Sequence, residues 1–447
     1  MEKNLTQGTE WKLILLFALP IMAGQLLQQL YNTVDGIVVG NYVSDAALAA
    51  VGSCSTIALI FIALAIGMGN GCGIIISQLF GAKEYGEMRR AISTILILFL
   101  IMGLFFTLLG IATSELAMRY VLGIEDEEIF KHAVTYFRVY SIGIIFQFVY
   151  NAVASMLRSI GDSKATLYFL LVSTLSNIGL DMLFVAVFNW GVSGAALATI
   201  IAQFACALVS YIYMLKKYTY FRFSRSEFAL DREKLILCIK MGVPTSIQQI
   251  IISSGMIFLQ RLINSFGHDT MAAYTVGTRI ELYLSIPSMG FYSGMAAFAG
   301  QNTGAGKTDR IKRGMWSAII MNLIFVGIIG ALQFVFAESI ASLFGVTGEV
   351  LTRSIMYVRF IACAYPLLAF YLPINGTFQG AGVPVQSMIV VTLALAGRVI
   401  GAYVMVYALG LGYASCWQSS AVGWALGLTY SLIYYLSGRW KNKKIKA

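Results

Sequence analysis

The chain has 447 residues, of which 58% are hydrophobic and only 12% charged, with a formal net charge of +10 and a mean hydropathy of +0.78. Soluble domains carry about 25% charged residues, so this composition excludes an ordinary water-soluble fold and points to lipid as the solvent. The little chain left between apolar segments also excludes a sizeable soluble domain.

Residues 1–11 are polar and mixed in charge. They lack the basic region and short apolar core of a cleaved signal peptide, so the first apolar segment is expected to remain. Twelve apolar segments follow, at 13–39, 46–79, 91–113, 134–157, 166–188, 192–215, 236–264, 275–302, 315–336, 354–378, 387–410 and 415–437. Most meet the roughly 20 residues needed to cross a hydrocarbon core. The runs are continuous and lack a period of two, which makes them helices rather than barrel strands. The fold class expected is an all-α integral membrane protein with twelve transmembrane helices.

Several segments carry marked residues. Segment one holds Pro20, Asn32 and Asp35. Segment two has alternating glycines at Gly67, Gly69, Gly71 and Gly73; without a following GK[ST], and inside a membrane span, this run does not suit nucleotide binding. Segment four holds Asn151, and segment five holds Asn177 and Asp181. Thr199 lies in segment six and Glu281 in segment eight. Cys54, Cys72, Cys206, Cys238, Cys363 and Cys416 lie in or beside spans, have no metal-binding spacing, and read as buried free thiols. His132 and His268 fall in expected loops. No catalytic set of an enzyme can be assembled.

Charge gives the orientation. With both termini cytoplasmic, the inner segments hold 23 of the 31 Lys and Arg residues, and the outer segments only Arg119, Lys131 and Arg353. This is a strong positive-inside pattern. The net positive charge then reflects orientation against anionic lipid, not nucleic-acid binding.

The basic stretch 216–234 divides the chain into an N-lobe (1–215) and a C-lobe (235–447) of six helices each. Pro20 matches Pro244. Gln78, Gly81, Ala82, Arg89 and Arg90 match Gln301, Gly304, Ala305, Lys312 and Arg313 at a constant offset of 223. Tyr136 and Arg138 match Tyr357 and Arg359, and Gly161 matches Gly382. Six helices per repeat keep both halves in the same orientation, a design common in transporters.

Intramembrane charge is costly and usually functional. Only Asp35, Asp181 and Glu281 are acids within spans. Asn177 stands one turn before Asp181, on the same helix face. Two carboxylates with amide and hydroxyl oxygens can hold a proton or coordinate sodium, and the same atoms serve both. Glu281 reads either as a second acid of that kind or as a partner of Arg261 or Arg398.

The stretches at 20–40 (PIMAGQLLQQLYNTVDGIVVG), 77–90 (SQLFGAKEYGEMRR) and 277–310 (GTRIELYLSIPSMGFYSGMAAFAGQNTGAGKTDR) carry a resemblance. The chain resembles the multidrug and toxic compound extrusion (MATE) family, in the DinF-like branch of the MOP flippase superfamily, over nearly its whole length. That resemblance implies a cation-coupled antiporter in the cell membrane, monomeric, without cofactor or nucleotide, exporting small amphipathic molecules against proton or sodium entry. It implies a cation or proton site of Asp35, Asn177, Asp181, Thr199 and Asn151, with sodium, if bound, at Asp35, Asn177 and Asp181. Ala154 stands where the pattern has a second asparagine. Pro20 matches a proline at which the first helix bends. The NorM branch has further acids in helices seven and ten, and 247–258 and 366–378 contain none here.

Met22, Tyr31, Met68, Met182, Met256, Tyr283 and Met289 are expected along a substrate path, since thioethers and aromatic rings suit apolar cations. Packing or lipid contact is the alternative for each. A flippase for a lipid-linked oligosaccharide is the alternative function, and it requires a strongly cationic cleft.

Overall fold

The computed structural model describes residues 4–42, 45–223 and 227–441; the side chains of 30–42, 45–48, 56 and 254 lie outside the description. The described residues form helices α1 (Glu10–Tyr42), α2 (Asp45–Ala82), α3 (Tyr85–Leu116), α4 (Glu127–Ile142), α5 (Ile144–Ser159), α6 (Ser163–Asp181), α7 (Gly191–Lys217), α8 (Arg232–Asn264), α9 (His268–Gly304), α10 (Thr308–Val335), α11 (Ala337–Ser342), α12 (Gly348–Gly380), α13 (Pro384–Tyr403) and α14 (Ser415–Leu436). All twelve expected spans fall on helices. Nine described helices are long and apolar enough to cross a membrane, and α4 with α5 makes ten. The other two expected spans lie on α9 and α14, helices of 37 and 22 residues with a more polar composition.

Exposed apolar stripes confirm the solvent. Ile320, Ile324, Ile328 and Leu332 repeat every four residues along α10 and are 52–59% exposed. A patch of this kind is stable against lipid and a liability in water. The chain is a multi-pass membrane protein.

Several details differ from the sequence reading. The fourth span is bent by 45° between α4 and α5, because the chain turns at Gly143, outside both helices. His132 lies within α4, and His268 opens α9, so neither sits in a loop. Cys363 is exposed, whereas the other five cysteines are buried. Polar N-caps begin three helices: Asp126, Asp162 and Asp231 accept hydrogen bonds from first-turn backbone N–H groups of α4, α6 and α8, satisfying donors that a helix start leaves open.

The glycine run of α2 serves two packing faces. A Cβ on Gly67 or Gly71 would stand 2.3 Å from Ser246 Cα or 2.4 Å from Gly242 Cα, both on α8. A Cβ on Gly73 would meet Ser159 Oγ of α5 at 2.7 Å, and one on Gly69 the Asn151 carbonyl at 3.2 Å. Spacing by four residues puts each pair on one side of the helix. Small residues let backbones approach where hydrocarbon offers no hydrophobic drive.

The buried apolar residues form two clusters, one from Ala50 to Met241 and the other mainly from Leu259 to Trp440. Their boundary exchanges helix starts. Ile14, Phe17, Ala18 and Met22 of α1 join the second cluster, and Cys238 and Met241 of α8 join the first. The equivalent arginines behave alike: Arg138 reaches back to Ser114 and Glu115 at the end of α3, and Arg359 to the Phe334 carbonyl and ring at the end of α10.

The halves close on each other at the basic end, where the described residues begin and end. A Cβ on Gly81 would stand 1.9 Å from the Gln301 carbonyl oxygen, and one on Gly304 1.9 Å from that of Gln78. The segment before α1 straps this end. Leu5 N–H donates to Gln301 Oε1 at 2.9 Å, Lys307 donates to the Thr6 carbonyl at 2.9 Å, and Glu10 pairs with Arg310 and Arg313 at 3.3 and 3.1 Å.

Candidate functional site

Asn177 and Asp181 occupy the last turn and a half of α6, one turn apart, and Thr199 faces them from α7. Asp181 is 1% exposed, Asn177 2% and Thr199 7%. With its nitrogen toward the carboxylate, the Asn177 amide donates to Asp181 Oδ2 at 2.9 Å, and its oxygen accepts from the Thr199 backbone N–H at 3.2 Å. The Thr199 hydroxyl donates to the Ala195 carbonyl at 3.1 Å. A buried carboxylate, an amide and a hydroxyl thus sit together, supplying the hard oxygen donors that a small cation or a proton takes.

Asp181 stands where α6 passes into a π-helical turn, Met182–Val187. Such turns are rare and frequent at functional sites. Phe184 and Trp190 stack beside it with centroids 5.0 Å apart.

Beside this group lies a cavity of about 440 Å³, entered by Asn177 and Thr199 and lined further by Gln28, Gln147, Tyr150 and Gln203. Polar side chains from α1, α5 and α7 therefore face one space. Gln203 was not singled out in the sequence; its signal was only polarity on an otherwise apolar helix.

The other predicted residues are placed as follows. Asn151 is buried, and its amide donates to the Gln147 carbonyl of its own helix at 2.8 Å. Asp35 and Tyr31 lie on α1, and their side chains are outside the described residues. Pro20 lies within the continuous helix α1 and is buried. Met22 packs where Gly290 leaves room, and Met68 where Gly242 does; both fill notches between the halves instead of facing an open path. Met256 and Met289 are partly buried against the second cluster. Met182 and Tyr283 are 41% and 57% exposed.

The second half repeats the backbone but not the chemistry. α13 also passes into a π-helical turn, Val404–Ala408. Arg398 and Ala402 stand where α6 has Asn177 and Asp181. Arg398 Nη2 donates to the Tyr274 hydroxyl at 3.4 Å, the Tyr274 and Tyr357 rings meet edge-on at 5.6 Å, and the Tyr357 hydroxyl donates to Glu281 Oε2 at 2.5 Å. Glu281 is thus held by a tyrosine that Arg398 also contacts, rather than by a direct ion pair with Arg261 or Arg398. Among the described residues, no three His, Cys, Asp or Glu side chains gather as a metal site.

The sequence matches the MatE family model over residues 20–183 and 244–404. It is 28% identical to the probable multidrug resistance protein YpnP of Bacillus subtilis (strain 168), covering 99% of this chain and 98% of that one. Among solved structures it is similar to one described as MATE in the straight conformation, with a TM-score of 0.89 at 27% identity, covering 98% of this chain and 97% of the other. It is similar also to an outward-facing conformation of a multidrug resistance MATE family transporter of the MOP superfamily. There the TM-score is 0.89 at 26% identity, covering 97% of this chain and 96% of the other.

Proposed function

The chain belongs to the MatE family, and from that premise we propose that it exports small amphipathic, often cationic, organic compounds in exchange for protons or sodium ions. The observation that carries the coupling half of this reading is the Asn177–Asp181–Thr199 group beside its cavity. Asp35, on α1, is the second acid of the site.

In the proposed cycle the protein stands in the cell membrane as a monomer, with the basic end and both termini in the cytoplasm. A cation enters from outside and binds around Asp181 and Asp35. Binding changes the contact of α1 with α6, α1 bends near Pro20, and the bound compound leaves outward. The halves then part at the basic end and the cation is released inside. Closure at Gly81–Gln301 and Gly304–Gln78 supports assigning the described conformation to the outward-facing stage.

Efflux from proteoliposomes with pH and sodium gradients imposed separately tests this. One gradient should drive efflux, and Asp181→Asn should abolish the drive while leaving the protein folded. Ion-driven efflux that survives both Asp181→Asn and Asp35→Asn overturns the assignment. The flippase reading finds little support: Arg138, Arg359 and Arg398 take separate partners and offer no shared cationic cleft for a pyrophosphate.

A further inference from the structure

Cys72 and Cys238 are separated by 166 positions and belong to opposite halves, on α2 and α8 respectively. Both are free, and neither has any exposed surface. Both sit in the first buried cluster, and their thiols lie near enough to interact directly. The surrounding packing explains how. α2 and α8 run antiparallel with backbones pressed together, a Cβ at Gly71 falling 2.5 Å from the Met241 carbonyl oxygen and 2.4 Å from Gly242 Cα. A disulfide needs a short Cα–Cα span, about 5.5–6 Å in most cases, and helices pressed this close bring residues on their facing sides toward that range.

The other cysteines have no such neighbour. Cys54 lies against Met118 and the Ala133 carbonyl, and Cys206 against the Phe169 carbonyl. Cys363 is exposed, and Cys416 belongs to the second cluster.

We propose that Cys72 and Cys238 form a peroxide-sensitive site whose oxidation joins α2 to α8 and locks the basic end shut. The chemistry balances in two steps. When the halves part, one thiol meets peroxide and becomes a sulfenic acid, releasing one water. When they close again, the second thiol attacks that sulfur, the S–O bond breaks, a disulfide forms and a second water leaves. Hydrogen peroxide is the oxidant throughout. Burial in the closed state protects both thiols, so oxidation depends on the opening motion. Dithiols return the pair to its starting state by thiol–disulfide exchange. The consequence for export rests on the rocking motion proposed above; formation of the disulfide requires only an opening that admits peroxide, whatever the protein moves.

The test uses the full chain in proteoliposomes, treated with hydrogen peroxide and then with dithiothreitol. Peptide mapping under non-reducing conditions should find Cys72 joined to Cys238, with the mass lower by two hydrogens. Efflux should be lost with peroxide and return with dithiothreitol. Cys72→Ser and Cys238→Ser, with the alanine variants as a second pair should serine disturb folding, should transport and resist peroxide. No cross-linked peptide, or equal peroxide sensitivity in the variants, overturns the site. A cross-link that leaves efflux unchanged overturns the lock. A cross-link in a protein that, reduced, moves no substrate supports the site and counts instead against the exporter reading.

Discussion

Gln78 and Gln301, equivalent residues of the two repeats, each cross to the opposite half. The Gln78 amide donates to the Gly380 carbonyl of α12 at 3.0 Å, and the Gln301 amide donates to the Ser159 carbonyl of α5 at 2.8 Å. Ser159 and Gly380 are themselves equivalent positions, so the pair forms a two-fold latch at the basic end. Gln301 holds more, because its oxygen also accepts the Leu5 N–H. Losing a buried hydrogen bond and stranding its partner costs about 1–3 kcal/mol, or roughly 5- to 150-fold in a two-state equilibrium. Gln301→Ala should shift the population toward a state open at this end, and Gln78→Ala by less. Distance distributions between spin labels on the α2 and α9 ends check this; unchanged distributions argue against the latch.

The glycines beside the latch are steric requirements. Alanine at 81 or 304 would place a methyl 1.9 Å from a backbone carbonyl oxygen of the other half. Backbone cannot yield as a side chain does. Gly81→Ala and Gly304→Ala should therefore prevent closure and abolish export at normal expression. Gly86→Ala, where a Cβ meets nothing within 4 Å, should be tolerated. Dye efflux from cells with matched protein levels separates the two outcomes.

Within the candidate site the contributions should be unequal. Asn177→Ala removes the donor to Asp181, and a hydrogen bond to a charged group is worth about 1.5–3 kcal/mol. Sodium affinity should fall by roughly tenfold or more, because the oriented carboxylate and the amide oxygen are lost together. The Thr199 hydroxyl is turned to its own helix, so Thr199→Val should leave most of the affinity intact. Calorimetric titration with sodium gives the comparison. Equal losses in the two variants would mean that the hydroxyl turns inward on binding.

Asp162 supplies a pH dependence away from the membrane core. Burial works to raise its carboxyl pKa, but hydrogen bonds from Tyr218, Lys217 and Tyr213, with the Lys217 charge, outweigh it and hold the group below the usual carboxylate range. Tyr218 and Lys217 donate at 2.6 and 3.0 Å. A depressed folded-state pKa contributes stability above the unfolded value, about 3.9, and that contribution is lost as pH falls through the folded one. Wild type should exceed Asp162→Asn in thermal stability at neutral pH, and the gap should close below about pH 4. A gap that persists into acid refutes the assignment.

Glu281 and Tyr357 predict a structural result. Tyr357→Phe removes the donor to the carboxylate and should lower stability by about 1.5–3 kcal/mol. Glu281→Gln keeps an acceptor oxygen and should cost less, with ion-driven efflux retained. Loss of coupling in Glu281→Gln, without loss of stability, would instead make Glu281 a second acid of the cycle.

Much of this was legible in the chain. The offset of the repeat marked Gln78 and Gln301 as equivalent positions, and the four-residue spacing of Asn177 and Asp181 placed them on one face. What sequence could not supply was the partner. Glu281 had two arginines as candidates, and a tyrosine on α12 holds it. Met22 and Met68 looked suited to a substrate path and fill glycine notches, because nothing local distinguishes a thioether facing a neighbouring helix from one facing a cavity.

The sequence by itself determined the twelve apolar segments, their expected orientation and the internal repeat, because transfer into lipid and the positive-inside bias act residue by residue and add along the chain. Only the tertiary structure decided which faces meet. The two-sided glycine ridge of α2, the exchange of helix starts between clusters, the Gln78–Gln301 latch and the Cys72–Cys238 contact all depend on the rotation and tilt of helices distant in sequence. In lipid those are set by close packing and interhelical hydrogen bonds, and both require the partner's surface to be in place.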